Sequence, residues 1–125
     1  MKTSNPDAPF DLKERTKRFA LRSMKLVDAL PRSRSADVIG RQLLRSATSV
    51  GSNYRAACRG RSKAEFISKL GIVEEEIDES IYWFDLLSDG GLIPSNRLAN
   101  IVREAHEIAA IIVTSIRTAR RNGRR

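Results

Sequence analysis

The sequence has few of the residues that build disulfide frameworks, zinc sites and membrane spans. Among its 125 residues there is one cysteine, Cys58, and one histidine, His106. A single cysteine excludes an internal disulfide, and these two residues cannot supply the ligands of a structural zinc site. No apolar run reaches the length of about 18 residues that a membrane-spanning helix needs. The N-terminal residues also lack the apolar segment of a secretory signal, so we expect a cytoplasmic protein.

Proline and glycine are scarce as well, with four and seven copies, which favours long regular elements. Apolar residues recur at helical spacing in four segments, and no segment alternates as a strand does. We therefore predict helices over residues 11–30, 35–59, 63–88 and 95–119, between a flexible N-terminal arm (1–10) and a basic C-terminal tail (120–125). Short connections between long helices favour an all-α fold, an antiparallel up-down-up-down four-helix bundle.

Polar residues at the helix starts predict where the helices begin. Asp11 opens a capping-box pattern before the first helix, and Ser62 opens a second before the third. Ser35 and Ser95 are the expected caps of the second and fourth helices. Two glycines lie beside the apolar stripe of the second helix, which predicts a close approach by a neighbouring helix.

The positive charge is carried mainly by arginine and is unevenly distributed. The chain has 17 Arg and 6 Lys, and its net charge is +8. Residues 1–62 carry +9, residues 63–116 carry −6 and residues 117–125 carry +5. This distribution is compatible with an anionic partner, with association of opposite ends of two subunits, or with ordinary solvated faces.

Two rows of arginine are the candidates for nucleic-acid contacts. Helical spacing places them on one face of the first helix (Arg15, Arg18, Arg22) and one face of the second (Arg41, Arg45, Arg55, Arg59). Arginine binds phosphate oxygens well, and Thr48 and Ser52 lie in the same sector of the second helix. Aromatic residues do not alternate with these arginines, so contacts to phosphates are expected rather than stacking on bases.

A second apolar face on the third helix predicts a subunit interface in a cyclic homo-oligomer. Its residues, with the two carboxylates among them, are Ile72, Glu75, Glu79, Tyr82, Trp83 and Leu86. The alternative is scattered surface apolar residues, which are common. Glu75 and Glu79 are expected to meet arginines of another subunit, whereas Glu74 and Glu76 are expected to accept hydrogen bonds from the second helix.

The acidic run over residues 74–79 invites a metal-site interpretation, which the remaining sequence does not support. Metal-binding bundles also use Glu-x-x-His, and the residue three before His106 is Arg103. Neither a phosphate-binding glycine loop nor a hydrolase motif is present, and Cys58 borders an apolar stripe. We predict no metal, no cofactor and no catalytic residues. A metal-dependent enzyme is the third and weakest hypothesis.

Two segments carry a family resemblance. Residues 42–66 contain Gln-x-x-Arg-Ser-Ala-x-Ser-x-x-x-Asn, and residues 69–87 follow with Glu75, Tyr82 and Trp83. This pattern resembles the 23S rRNA intervening-sequence family, also labelled S23 ribosomal proteins. The second-helix positions that match its motif are Gln42, Arg45, Ser49 and Asn53.

The resemblance implies a four-helix bundle that assembles as a ring, typically a homopentamer. It also implies relatives among the accessory variability determinants of diversity-generating retroelements, which resemble a basic barrel that binds nucleic acid and a reverse transcriptase. It implies no catalytic residues. Two functions therefore remain open: binding of RNA or DNA through the arginine rows, or a scaffold for a protein such as a reverse transcriptase. In the second function the charges mainly serve subunit assembly.

Overall fold

The computed structural model describes residues 12–122, which form four α-helices and no β-strand. The helices are α1 (Leu12–Asp28), α2 (Arg34–Cys58), α3 (Lys63–Asp89) and α4 (Ser95–Asn122). Each helix packs against the next along the chain, and α4 also contacts α1. The predicted all-α, up-down-up-down bundle is therefore confirmed. The predicted arm (1–10), the Asp11 cap and residues 123–125 of the predicted tail lie outside the described residues.

The helix starts agree with the sequence at α3 and differ at α2 and at α4, where the expected cap, Ser95, is already the first helical residue. Ser62 caps α3 as predicted, since its Oγ accepts a hydrogen bond from the Glu65 N–H at 3.0 Å. The predicted cap at Ser35 is wrong. Ser33 caps α2 instead, and its Oγ accepts from the Ala36 N–H at 3.1 Å. Ser33 has the extended backbone that a cap requires, whereas Ser35 already lies inside the helix.

The helix ends differ from the prediction at α1 and at α4. α1 ends at Asp28, two residues before the predicted end, and leads into the turn before Pro31. α4 continues to Asn122, three residues beyond the predicted end at 119. Two arginines lie in that last turn, where positive charge interacts favourably with the helix dipole. Part of the predicted tail is therefore helical. None of the four described helices is both long and apolar enough to cross a membrane.

All four helices contribute apolar residues to a single core. Its two largest fully buried side chains, Phe19 of α1 and Phe84 of α3, meet edge to face, with ring centroids 6.2 Å apart. Between α2 and α3 the core also holds a polar pair, in which the Ser46 and Ser80 hydroxyls lie 2.8 Å apart. Ser80 Oγ also lies 2.9 Å from the Glu76 carbonyl, so this buried pair has hydrogen-bond partners.

Two glycines let α1 approach α2 closely, as the sequence predicts. A Cβ at Gly51 would lie 3.1 Å from Thr16 Oγ1, and a Cβ at Gly40 would lie 3.1 Å from a methyl group of Val27. Both distances are tight for carbon atoms, so the α1–α2 packing depends on the absence of side chains at these positions.

Gly71 differs from those glycines because it lies within α3 beside open space. Apart from Gly71, its two chain neighbours and the adjacent backbone of α3, no heavy atom of residues 12–122 lies within 4 Å of the position that its Cβ would take. Replacing Gly71 with alanine is expected to raise the free energy of unfolding by about 0.5–1 kcal/mol, since alanine has less backbone entropy to lose in a helix. Urea denaturation followed by circular dichroism checks this. A fall in stability would show that another subunit occupies this space.

Candidate nucleic-acid interface

Arg15, a predicted phosphate ligand of α1, is held within the chain by two carboxylates of α4. Its Nε donates to Glu104 Oε2 at 3.0 Å, and its Nη2 donates to Glu104 Oε1 at 2.7 Å and to Glu107 Oε1 at 2.9 Å. The side chain is 19% exposed, and hydrogen bonding to Glu104 raises the pKa of the Arg15 guanidinium. A bidentate pair of this kind is strong and directional. Arg15 therefore connects α1 to α4.

Arg45, the predicted ligand at the centre of the α2 row, is also paired within the chain. Its Nη2 donates to Glu79, and its Nη1 lies 3.5 Å from Glu76 Oε1. Glu79 additionally accepts a hydrogen bond from Trp83 Nε1 at 3.4 Å. We expected Arg45 to face solvent and Glu79 to meet an arginine of another subunit. The structure joins these two residues to each other instead, so that Arg45 connects α2 to α3.

Glu76 is partly buried, and this burial raises the pKa of its carboxyl group. The neighbouring Arg45 opposes this shift. The carboxyl atom Oε1 is buried and has no hydrogen-bond partner among residues 12–122. Glu76 was expected to accept hydrogen bonds from polar residues of α2. Of these, Ser49 and Asn53 bond carbonyl groups of their own helix.

The other predicted arginines are more exposed. Arg18 and Arg41 form ion pairs one helical turn away, with Glu14 at 3.6 Å and with Asp37 at 3.2 Å. Such exposed pairs contribute only about 0.3–0.5 kcal/mol and break easily. The three remaining arginines take part in none of the ion pairs formed among residues 12–122. They are Arg22, Arg55 and Arg59, and all three are exposed.

The two arginine rows do not share one surface. Because Arg15 faces α4, residues three and seven positions after it on α1, Arg18 and Arg22, lie on the α4 side of that helix. Arg55 of the α2 row instead lines a cleft on the opposite side of α1, together with Lys13 and Lys17. Any nucleic acid that contacts the α2 row would therefore meet these lysines rather than the arginines of α1.

A shallow cleft of about 230 Å³ lies between α1 and α2. We call it the α1–α2 cleft. Its exposed residues, all charged or hydroxyl-bearing, are Lys13, Lys17, Thr48, Ser52 and Arg55, and the less exposed Thr16, Ala20 and Gly51 complete its lining. The three cations are exposed and are absent from the ion pairs of the described residues. This combination concentrates positive charge at a concave surface, which suits a phosphate group.

Both exposed hydroxyl groups of the cleft, those of Thr48 and Ser52, are within hydrogen-bond distance of carbonyl groups of their own helix. Thr48 Oγ1 donates to the Leu44 carbonyl at 2.7 Å, and Ser52 Oγ donates to the Ser49 carbonyl at 3.3 Å. Either hydroxyl has to rotate before it can donate to a phosphate. The electrostatics of the cleft therefore depend on its lysines and arginine.

The predicted interface face of α3 is partly covered by its own subunit. Trp83 packs against the core, and Ile72 and Leu86 are half-buried. Tyr82 is 53% exposed and meets Trp83 edge to face, with ring centroids 5.1 Å apart. Glu75 is exposed. Tyr82 is thus the most exposed of the apolar residues predicted for this face.

Metal-ligating side chains do not gather anywhere in the described part of the chain: residues 12–122 contain no cluster of three or more His, Cys, Asp or Glu with suitable geometry. The carboxylates of the acidic run of α3 do not gather into one site, because Glu76 and Glu79 face Arg45.

Comparison with known proteins places these features in a family. The model of the 23S rRNA-intervening sequence protein family matches residues 10–114. The chain is also similar to the crystal structure of a protein with unknown function from the S23 ribosomal protein family of Bacteroides thetaiotaomicron. The two share 34% identity with a TM-score of 0.78, over 83% of this chain and 96% of that one. No curated protein is significantly similar in sequence. The resemblance carried by the α2 and α3 motifs is confirmed, and the chain belongs to the 23S rRNA-intervening sequence protein family.

Proposed function

We propose that this protein is a non-enzymatic, homo-oligomeric bundle that binds the phosphate backbone of RNA or DNA through the α1–α2 cleft. The observation that supports it most is the cluster formed by Lys13, Lys17 and Arg55. These residues come together from two helices and take part in none of the ion pairs formed within residues 12–122. Arg59 extends the same exposed side of α2 towards its C-terminus.

The energetic basis of this binding is the release of counterions from the nucleic acid. Each phosphate that a lysine or arginine neutralises contributes about 0.9 to the slope of log affinity against log salt for duplex DNA. Three cations per cleft therefore correspond to a slope of about −2.7 for each engaged subunit. In a homo-oligomer the salt slope grows with the number of subunits that engage the same nucleic acid. Clefts that bind weakly one at a time then give a higher overall affinity together.

Structured RNA is the first ligand to test, because the family description refers to an intervening sequence of 23S rRNA. Among the described residues no aromatic side chain lines the cleft, so it offers contacts to phosphates and no platform for stacking on bases. Discrimination between RNA and duplex DNA then depends on the spacing of phosphates across the oligomer.

Charge reversal in the cleft tests the proposal. We expect Arg55→Glu to raise the Kd for a labelled structured RNA at least tenfold and to reduce the salt slope by about 1 to 2. The matched control is Arg103→Glu, which makes the same charge change at an exposed position of α4, away from the cleft. Fluorescence anisotropy of nuclease-treated protein, titrated from low to physiological salt, gives both quantities.

The Arg103→Glu control distinguishes binding at the α1–α2 cleft from general attraction of the RNA to a positively charged protein. If Arg55→Glu and Arg103→Glu weaken binding equally, the net charge alone attracts the RNA and the cleft assignment fails. If neither changes the Kd, the bound surface lies elsewhere. Circular dichroism of both variants establishes that the helical content is unchanged.

A protein-interaction scaffold is the second candidate function, and the exposed side chain of Tyr82 favours it. Tyr82 lies beside Trp83 on α3, and the exposed carboxylates Glu75 and Asp78 flank this apolar surface. A basic protein surface such as that of a polymerase complements this face. Failure of RNA and DNA binding at physiological salt, together with retained assembly, would favour the scaffold.

A further inference from the structure

An open groove of about 710 Å³ lies at the end of the bundle where α2 ends, α3 begins and α4 ends. We call it the end groove. Its lining includes Cys58 of α2, Phe66 of α3, and Ser115, Thr118 and Ala119 of α4, and Lys63 adds a positive charge. The groove is distinct from the α1–α2 cleft, with which it shares no residue.

The end groove lies in line with α1, at the same corner of the bundle. Arg15 of α1 bonds Glu104 of α4, so the α4 face that carries Glu104 is the face directed at α1. Ser115 lies eleven residues after Glu104, which is about three helical turns, and it therefore lies on the same face. The residue one turn further on, Thr118, also lines the groove.

The described part of α1 does not extend to this position. Its first residue, Leu12, lies only one turn before Arg15, whereas α4 extends fifteen residues past Glu107. At a rise of about 1.5 Å per residue, α4 projects roughly 20 Å beyond the last carboxylate that α1 contacts. In the end groove α2, α3 and α4 thus enclose a corner that residues 12–28 of α1 do not reach.

We propose that residues 1–11, the segment that leads into α1, bind in the end groove of their own subunit, with the side chain of Phe10 as the apolar anchor. The segment joins α1 at this end of the bundle, because Leu12 is the start of α1. Eleven extended residues reach up to about 36 Å, which is enough to span the groove. Ala8, Pro9 and Phe10 supply its apolar surface immediately before the helix.

Charge complementarity also favours this occupant. Asp7 and Asp11 flank the apolar residues of the segment, and Lys63 lies at the groove. The last turn of α4 adds Arg120 and Arg121 at the same end. The apolar surface of Phe66 and Ala119 then meets Phe10, while the carboxylates meet the surrounding cations.

The single cysteine of the chain makes a direct reporter, because Cys58 lines the groove and is left exposed by residues 12–122. In the full-length protein, we expect Phe10→Ala to increase the rate at which Ellman's reagent modifies Cys58 by at least about fivefold. Ser4→Ala is the matched control in the same segment, and we expect it to change the rate by less than about twofold.

A peptide in trans distinguishes release of the segment from unfolding. Added at millimolar concentration to the Phe10→Ala chain, a synthetic peptide of residues 1–11 should slow the modification of Cys58 again, and the same peptide with alanine at position 10 should not. A chain that had merely unfolded would show no such protection. Equal rates for wild type and Phe10→Ala overturn the proposal. Protection of Cys58 that is lost on dilution and unchanged by Phe10→Ala also overturns it, since a second copy then covers the groove.

Discussion

Replacing Phe84 with alanine is expected to lower the free energy of unfolding by about 3–5 kcal/mol, the range typical of removing a buried aromatic ring. Phe84 is one of the two largest fully buried side chains among the described residues. It meets Phe19 across the bundle, so its loss removes an edge-to-face aromatic contact and leaves a cavity between α1 and α3. Guanidinium denaturation followed by circular dichroism measures the change.

Asp85→Ala is the matched control, because Asp85 is the next residue of α3 and is exposed. It should change the free energy of unfolding by no more than about 0.5 kcal/mol. A loss below about 1.5 kcal/mol for Phe84→Ala would mean that the helices close around the cavity and that the α1–α3 contact is adaptable.

Replacing Gly51 with leucine is expected to lower the free energy of unfolding by about 2–3 kcal/mol. The new side chain has to displace Thr16, whose Oγ1 lies 3.1 Å from the position of the first added carbon. Thr16 is fully buried and its hydroxyl already bonds the Leu12 carbonyl at 2.6 Å, so it cannot move aside without breaking that bond. The gain in helix propensity, about 1 kcal/mol, offsets only part of this cost.

The Gly51 variant also tests the α1–α2 cleft, since Gly51 and Thr16 both line it. RNA affinity should fall in this variant at a temperature where the chain remains folded, because α1 and its lysines move away from Arg55. Gly71→Ala on α3 is the control for helix propensity alone. An unchanged melting temperature for Gly51→Leu would show that α1 is loosely held against α2.

The helices could be predicted because each of them buries one continuous stripe of mainly apolar residues at helical spacing. The four predicted segments differ from the observed helices by only a few residues, and the capping box at Ser62 located the start of α3. The prediction failed at Ser35 because Ser33 and Ser35 both precede the stripe of α2, and the choice between them depends on the backbone geometry of the turn after Pro31.

The candidate site was harder to predict than the fold. A helical wheel gives the direction of each Cα, and it placed Arg45 and Arg55 in one sector. The long side chain of Arg45 nevertheless reaches across to Glu76 and Glu79 of α3, a contact that depends on the register of the two helices. Sequence reasoning also missed Lys13 and Lys17. Helical spacing places Lys13 and Lys17 on the same face of α1 as Thr16 and Ala20, and this pattern could have identified them. The predicted arginines of α1 lie on the other side of the helix.

The bidentate bond of Arg15 has a consequence for how the sequence can drift among related proteins. Lysine presents a single charged nitrogen and cannot reproduce the two parallel bonds that Arg15 makes to Glu104, so exchange for lysine at this position should be selected against. In the proposed function Lys13, Lys17 and Arg55 meet phosphates mainly as charges, and if that proposal is correct, lysine and arginine should interchange freely at those positions. Tolerance to this one conservative exchange therefore separates the cations that hold the helices together from those that face a ligand.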